Sequence, residues 1–174
     1  MNRQSRRTIS REYFSQERLA EHHFRSFNAF LDRGMQEVVD EKERIETDIG
    51  DKEGQEPVFV ELGDVRVETP RVREADGSEE LLYPQEARLR NITYAAPVFM
   101  EMAIVRGGEE EEEVVVDSTE TKVGRMPIMV GSRRCNIAEL TREELIDIGE
   151  DPVDPGGYFI VNGSERVLMT SEDL

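Results

Sequence analysis

Asp154-Pro-Gly-Gly-Tyr-Phe-Ile-Val-Asn-Gly-Ser-Glu-Arg-Val-Leu168 is the stretch from which the fold of this 174-residue chain is read. Gly156 and Gly157 supply backbone angles that other residues adopt only at a cost. Tyr158 to Val161 reads as a strand. Asn162-Gly163 is the strong signal for a two-residue type I′ turn, and Glu165 to Met169 reads as the return strand. Asp151-Pro152 and Asp154-Pro155 are turn chemistry leading into this hairpin.

Upstream, Thr141-Arg-Glu-Glu144 has the spacing of a capping box, so a helix is expected over 142–148, ended by Gly149. Val123 to Val130 reads as a strand carrying Gly124 and Pro127. Val114 to Val116 reads as the partner of a strand over 92–105, begun or interrupted at Pro97. Between them lie Gly107-Gly108 and the acids Glu109 to Glu113, whose like charges favour a solvated hairpin tip. Pro84 to Arg90 is a short helix with proline in its first turn. Pro70 to Glu80 reads as a polar loop. Val58, Val60 and Leu62 share one strand face, Gly63-Asp64 reads as a tight turn, and Val65 and Val67 resume the alternation. Residues 35–46 are expected to be a polar helix touching the core through Val38, Val39 and Ile45. Residues 12–33 carry an apolar stripe (Phe14, Leu19, Phe24, Phe27, Phe30, Leu31) at helical spacing, with Gly34 as the C-cap. The fold class is α+β, helices first and then antiparallel hairpins with short helices between them. Its expected parts are a basic flexible arm over 1–11, N-terminal helices over 12–50 and a sheet-bearing part over 51–174. The arm carries Arg3, Arg6, Arg7 and Arg11, and reads either as a frayed terminus or as an arm touching nucleic acid or a partner.

Acids number 39 against 22 basic residues, for a net charge of −17; three of the basic residues are lysine (Lys42, Lys52, Lys122) and 19 are arginine. Two explanations compete. One is an acidic module for basic partners. The other, which the even spread of the acids favours, is a surface suited to a salt-rich cytoplasm, where the Debye length falls to about 3 Å at 1 M salt. Cys135 is the single cysteine, so neither an internal disulfide nor a cysteine-based zinc site can form. No apolar run reaches the roughly 18 residues of a membrane span, and residues 1–11 lack the apolar core of a signal peptide. A cytoplasmic protein with no membrane contact is expected.

The sequence contains no GxxxxGK[ST] phosphate loop, HExxH, Gly-x-Ser-x-Gly or closely spaced acidic triad for Mg²⁺. His22 and His23 are adjacent, so they point about 100° apart on a helix rather than converging on a metal. Arg125, Arg133, Arg134 and Arg166 cluster in the C-terminal third. They could line a phosphate track, or they could pair with neighbouring acids.

Three blocks together resemble the N-terminal part of the second-largest subunit of multisubunit RNA polymerases of the archaeal type. Phe24-Arg-Ser-Phe-Asn-Ala-Phe-Leu31, continued by Gly34-Met-Gln-Glu-Val-Val39, is similar to the helix that opens the family. Gly124-Arg-Met-Pro-Ile-Met-Val-Gly-Ser132 with Cys135-Asn136 is similar to its G-K/R-hydrophobic-P-I-M stretch, although Gly131 stands where many relatives carry arginine. Thr93-Tyr-Ala-Ala-Pro97, with Arg88 and Asn91 before it, also fits. The 154–168 block is the most specific.

The resemblance implies the first half of the family's protrusion domain, on one side of a DNA cleft. The implied activity is DNA-directed RNA synthesis from ribonucleoside triphosphates, with Mg²⁺ held elsewhere in the enzyme and no catalytic residue or cofactor in this chain. The implied partners are the largest subunit, the remainder of the second-largest one, DNA, the RNA–DNA hybrid and general transcription factors. Arg166, then Arg133 and Arg134, are the residues expected near nucleic acid, and Gly156, Gly157, Asn162 and Gly163 those that shape the hairpin. In halophilic archaea the second-largest subunit is often split, and the family continues well past the equivalent of Leu174. The isolated piece is therefore expected to be poorly stable and to lack a sharp thermal transition. The competing reading is an independent acidic interaction module.

Overall fold

The computed structural model describes residues 3–16, 19–42, 44–47, 57–107 and 114–169. The chain begins with helices α1 (Arg3–Gln16) and α2 (Glu21–Ala29). A π-helical turn over Phe30–Gly34 leads into α3 (Met35–Asp40). Strands β1 (Arg44–Glu46), β2 (Val58–Val67), β3 (Arg71–Arg73) and β4 (Glu79–Leu81) precede α4 (Pro84–Leu89). Then come β5 (Ala95–Arg106), β6 (Val114–Pro127), α5 (Arg142–Asp147), β7 (Phe159–Val161) and β8 (Ser164–Arg166). The α+β class is as expected.

Two compact units interleave along the chain. One comprises residues 1–28, 69–95 and 127–174; the other comprises 29–68 and 96–126.

The second unit is built on a sheet of order β1-β2-β5-β6. β1 and β2 pair antiparallel, with Ile45 opposite Val60, and β2 pairs antiparallel with β5. Val39, Val67, Val98 and Val105 are buried there. β2 corrects one expectation: Gly63-Asp64 is not a hairpin turn. Leu62 pairs with Met102 and Val65 with Met100, so two residues bulge opposite the single Glu101. The Gln36 side chain on α3 satisfies the loosened backbone, its amide donating to the Gly63 carbonyl at 3.3 Å and its oxygen accepting from the Val65 N–H at 2.8 Å. A carboxamide able to donate and accept holds the strand extended where a turn pair alone would fold it back.

Other boundaries differ for comparable reasons. α1 starts at Arg3, where an arm was expected as far as residue 11; nothing between residues 3 and 16 breaks a helix, since neither proline nor glycine occurs there. Gly34 is not a C-cap. It keeps helical angles (φ −60°, ψ −32°), and a Cβ there would meet the Phe30 ring at 3.0 Å. The helix expected over 35–46 stops at Asp40, and Ile45 lies in β1. Pairing with β2 overrides helix propensity there, supported by the Arg44 guanidinium 4.5 Å above the Phe59 ring and 2.8 Å from Glu61. The polar loop over 70–80 contains the β3–β4 ribbon, with Val72 buried. The strands expected at 114–116 and 123–130 are one strand, β6, which ends at Pro127. The acids Glu109 to Glu113 lie outside the described residues, as does the Phe14 side chain.

In the first unit, Leu82, Ala87, Tyr94, Ile128, Met129, Val130 and Ile160 are almost fully buried. Three extended stretches knit this core together. The Tyr94 N–H donates to the Ile160 carbonyl (3.0 Å), the Ile128 N–H to that of Tyr94 (2.9 Å) and the Val130 N–H to that of Tyr158 (2.8 Å). From α2, Phe24 and Phe27 are buried, and Phe27 meets Phe159 edge-on with 5.2 Å between ring centroids. α5 has the expected capping box: Thr141 Oγ1 accepts from the Glu144 N–H, and the Glu144 carboxylate accepts from the Thr141 N–H.

Candidate nucleic-acid interface

The β7–β8 hairpin closes as its sequence dictates. Val161 pairs with Ser164, leaving Asn162 and Gly163 as the two turn residues, both at positive φ (50° and 73°) as a type I′ turn requires. The turn is also pinned from outside. The Gly163 N–H donates to the Ile92 carbonyl at 3.0 Å, and the Asn162 N–H to Thr93 Oγ1 at 3.1 Å. A Cβ on Gly163 would come within 2.8 Å of the Asn91 Cα. Gly163 is thus required twice over, by its turn and by a neighbouring backbone.

The lead into the hairpin is equally tight. Gly156 and Gly157 lie at φ +67° and +85°. A Cβ on Gly156 would lie 2.5 Å from the Val130 carbonyl oxygen, and one on Gly157 would lie 2.4 Å from the Ala20 Cβ. The Gly157 N–H donates to the Val130 carbonyl at 2.9 Å. Asp154 Oδ1 accepts from the Gly156 N–H at 2.9 Å, fixing the turn before it.

Beneath the hairpin lies a charged node that the sequence does not single out. Arg88 on α4 is only 20% exposed at its side chain. Its guanidinium lies 2.9 Å from Glu165 on β8, 3.6 Å from Glu150 and 3.5 Å from Asp154, and also donates to the Tyr158 hydroxyl. The Tyr158 hydroxyl donates in turn to Asp154. Burial and the Asp154 carboxylate push the Tyr158 hydroxyl well above its ordinary value. Glu150 is 4% exposed at its side chain and accepts from the Gln85 N–H at 2.6 Å, so it satisfies a free donor at the start of α4. Burial raises its pKa despite that hydrogen bond and the arginine. One arginine thereby ties α4, the 150–154 turn and both ends of the hairpin together. The sequence carries no mark of this, because Glu150 is one acid among 39 and nothing local sets it apart.

A second polar anchor fixes the loop bearing the expected arginine pair. The Asn136 side-chain amide donates to the Pro70 and Leu82 carbonyls at 2.8 and 2.7 Å, and its N–H donates to the Tyr94 hydroxyl at 2.9 Å. That hydroxyl also lies 3.3 Å from Cys135 Sγ. Burial raises the pKa of both the Tyr94 hydroxyl and the Cys135 thiol, so the cysteine is a neutral core residue rather than a nucleophile.

Cys135 is buried and Asn136 half-buried, whereas Arg133 and Arg134 before them are exposed. The Arg133 N–H donates to Asn28 Oδ1 at 3.1 Å. Arg166 is exposed on β8, opposite Phe159. Arg133, Arg134 and Arg166 therefore stand on a fixed loop and a fixed strand of one unit, whereas Arg125 belongs to the other unit. Among the described residues no cluster of three His, Cys, Asp or Glu side chains could hold a metal ion. None of their helices is long and apolar enough to cross a membrane.

The glycine-locked hairpin, the arginine–carboxylate node and the exposed Arg133, Arg134 and Arg166 all lie in one unit. Comparison with known proteins gives the class: residues 18–174 match the family model described as RNA polymerase beta subunit, and the chain belongs to that family. Over all 174 residues it is 80% identical to the DNA-directed RNA polymerase subunit Rpo2N of Halobacterium salinarum, covering 33% of that protein. It is 44% identical over 165 residues to Rpo2N of Methanocaldococcus jannaschii, covering 31% of it. It is 45% identical over 162 residues to subunit Rpo2 of Saccharolobus solfataricus, covering 13% of it. The chain thus spans a third or less of the length of these relatives.

Proposed function

We propose that this chain is a non-catalytic wall of the DNA channel in a cytoplasmic, haloarchaeal DNA-directed RNA polymerase. It works there with the largest subunit, the remainder of the second-largest one and general transcription factors, and the Mg²⁺ chemistry of nucleotide addition lies elsewhere in the enzyme. The observation that carries this reading is the 80% identity to an Rpo2N subunit along the whole chain. The rigid supports of Arg133, Arg134 and Arg166 agree with it. Side chains that must meet phosphate at contact distance in concentrated salt need fixed backbones, since long-range attraction is screened. Their role is to hold the backbone of template or hybrid, not to read bases.

The test is a photo-crosslinking amino acid at position 166 in the assembled enzyme, with labelled nucleic acid in an elongation complex. Crosslinks from position 166 but not from position 89, where Leu89 is exposed on α4, are expected. Equal or no labelling at both positions contradicts the reading.

A further inference from the structure

A cleft of about 410 Å³ opens in the first unit, within the roughly 300–1,000 Å³ of ligand pockets. Leu19, Val130, Ile137, Leu140 and Leu145 give it apolar walls, and Leu19 is 67% exposed, so part of that wall faces solvent. The polar groups around it are one-sided. The N–H groups of Val130, Ala138, Leu140, Leu145, Asp154 and Gly156 all donate within the chain. Those of Gly131 and Ile137 serve the Cys135 sulfur. Pro152 and Pro155, which also line the cleft, have no N–H to offer. What remains to a guest is chiefly acceptors. Asp154 is engaged by Gly156 and Tyr158, but Asp151 spends only Oδ1, on the Val153 N–H at 2.9 Å. Its second oxygen has no partner among the described residues.

Charge points the same way. Residues 137–156 hold seven acids (Glu139, Glu143, Glu144, Asp147, Glu150, Asp151 and Asp154) against Arg142 alone, which is denser than the 39 acids in 174 residues of the whole chain. Glu139, Glu143, Asp147 and Asp151 are exposed and enter no ion pair among the described residues. Hydration in a salt-rich cytoplasm accounts for exposed acids, but not for Ile146 and Val153 standing 56% and 70% exposed among them.

We infer that this cleft receives an arginine-bearing, partly apolar segment of a partner polypeptide. The apolar walls take the aliphatic carbons of the guest, including the arginine stem, and the acceptors take its guanidinium. Guanidinium is more weakly hydrated than an ammonium group and loses less on entering a walled site. That matters where salt confines attraction to contact distance, about 3 Å at 1 M. The same acids repel the phosphates of nucleic acid. A bound metal ion is not the guest either, since among the described residues no three His, Cys, Asp or Glu side chains converge. The partner is defined by its chemistry, so the assignment does not depend on the polymerase reading.

The test places a photo-crosslinking amino acid at position 19 of the protein in its native cells, in whatever complex it forms there. Mass spectrometry then gives the sequence of the crosslinked peptide. Position 81, where Leu81 is exposed in the same unit, is the control. The expected product is a segment of a second polypeptide with arginine within a few residues of the crosslink, and it should be absent from position 81. Asp151→Asn keeps the acceptor for the Val153 N–H but removes the charge. It should lower the yield of that product about three-fold, the usual strength of one exposed charge pair. A crosslink to an acidic or uncharged segment, to nucleic acid, to a second copy of this chain or to another part of the same polypeptide overturns the proposal. So does the absence of any crosslink, or a yield that Asp151→Asn leaves unchanged.

Discussion

At the scale of single residues, the stability of the hairpin depends on one cation. Arg88 faces Glu150, Asp154 and Glu165, and removing it leaves Glu150 charged and buried beside a second carboxylate. Breaking a buried ion pair costs far more than the pair contributes over an apolar substitute, because the uncompensated charge remains. Arg88→Met keeps the aliphatic stem and should cost about 3 kcal/mol, somewhat below a fully buried case because the side chain is one-fifth exposed. Glu165, 57% exposed, is the node's solvent-facing member, and Glu165→Gln should cost about 0.5 kcal/mol or less. Hydrogen-exchange protection of the β7–β8 amides in the wild-type chain and the two variants, in concentrated KCl, checks this. Equal losses would mean that the node is a surface salt bridge and no more.

At the scale of elements, legibility follows the range of the interactions. Signals complete within four residues are plain in the sequence: the Asn162-Gly163 turn, the Thr141–Glu144 capping box and proline at the start of α4. Gly63-Asp64 misleads because a turn and a bulge share the same residues; the choice is made by Gln36, 27 residues away from Gly63. Ile45 misleads because its pairing with Val60 is tertiary. In the candidate site, the glycines and Asn162 are legible because positive φ is a local demand, whereas Arg88 and Glu150 act through partners up to 77 residues apart in sequence.

The capping box yields a pH prediction. Hydrogen bonds from the Thr141 N–H and hydroxyl hold the Glu144 carboxyl below its ordinary value of 4.5. A carboxyl depressed in the folded state contributes stability above its unfolded pKa and loses that contribution as pH falls through the folded value. Hydrogen-exchange protection of α5 should therefore decline as pH drops below about 4.5, after correction for intrinsic exchange. In Thr141→Ala this pH dependence should shrink, and protection at neutral pH should fall roughly five-fold, the usual loss for an N-cap. An α5 equally protected in both proteins across that range would contradict the capping account.

At the scale of the whole molecule, contiguous blocks of sequence reveal the family but not the division into units. Residues 69–95 and 127–174 come together across the whole of β5 and β6, and no local pattern encodes such long-range closure. The outer strand β6 exposes Val114, Val115 and Val116 at its start. The central claim is that this chain is a structural component of a polymerase, and affinity purification of a tagged copy from native cells in concentrated KCl tests it most directly. The account predicts recovery of the largest polymerase subunit with the tagged chain, and its loss in a Gly163→Val variant, whose hairpin has no room for a side chain. Recovery of the chain alone, or with proteins unrelated to transcription, would contradict it.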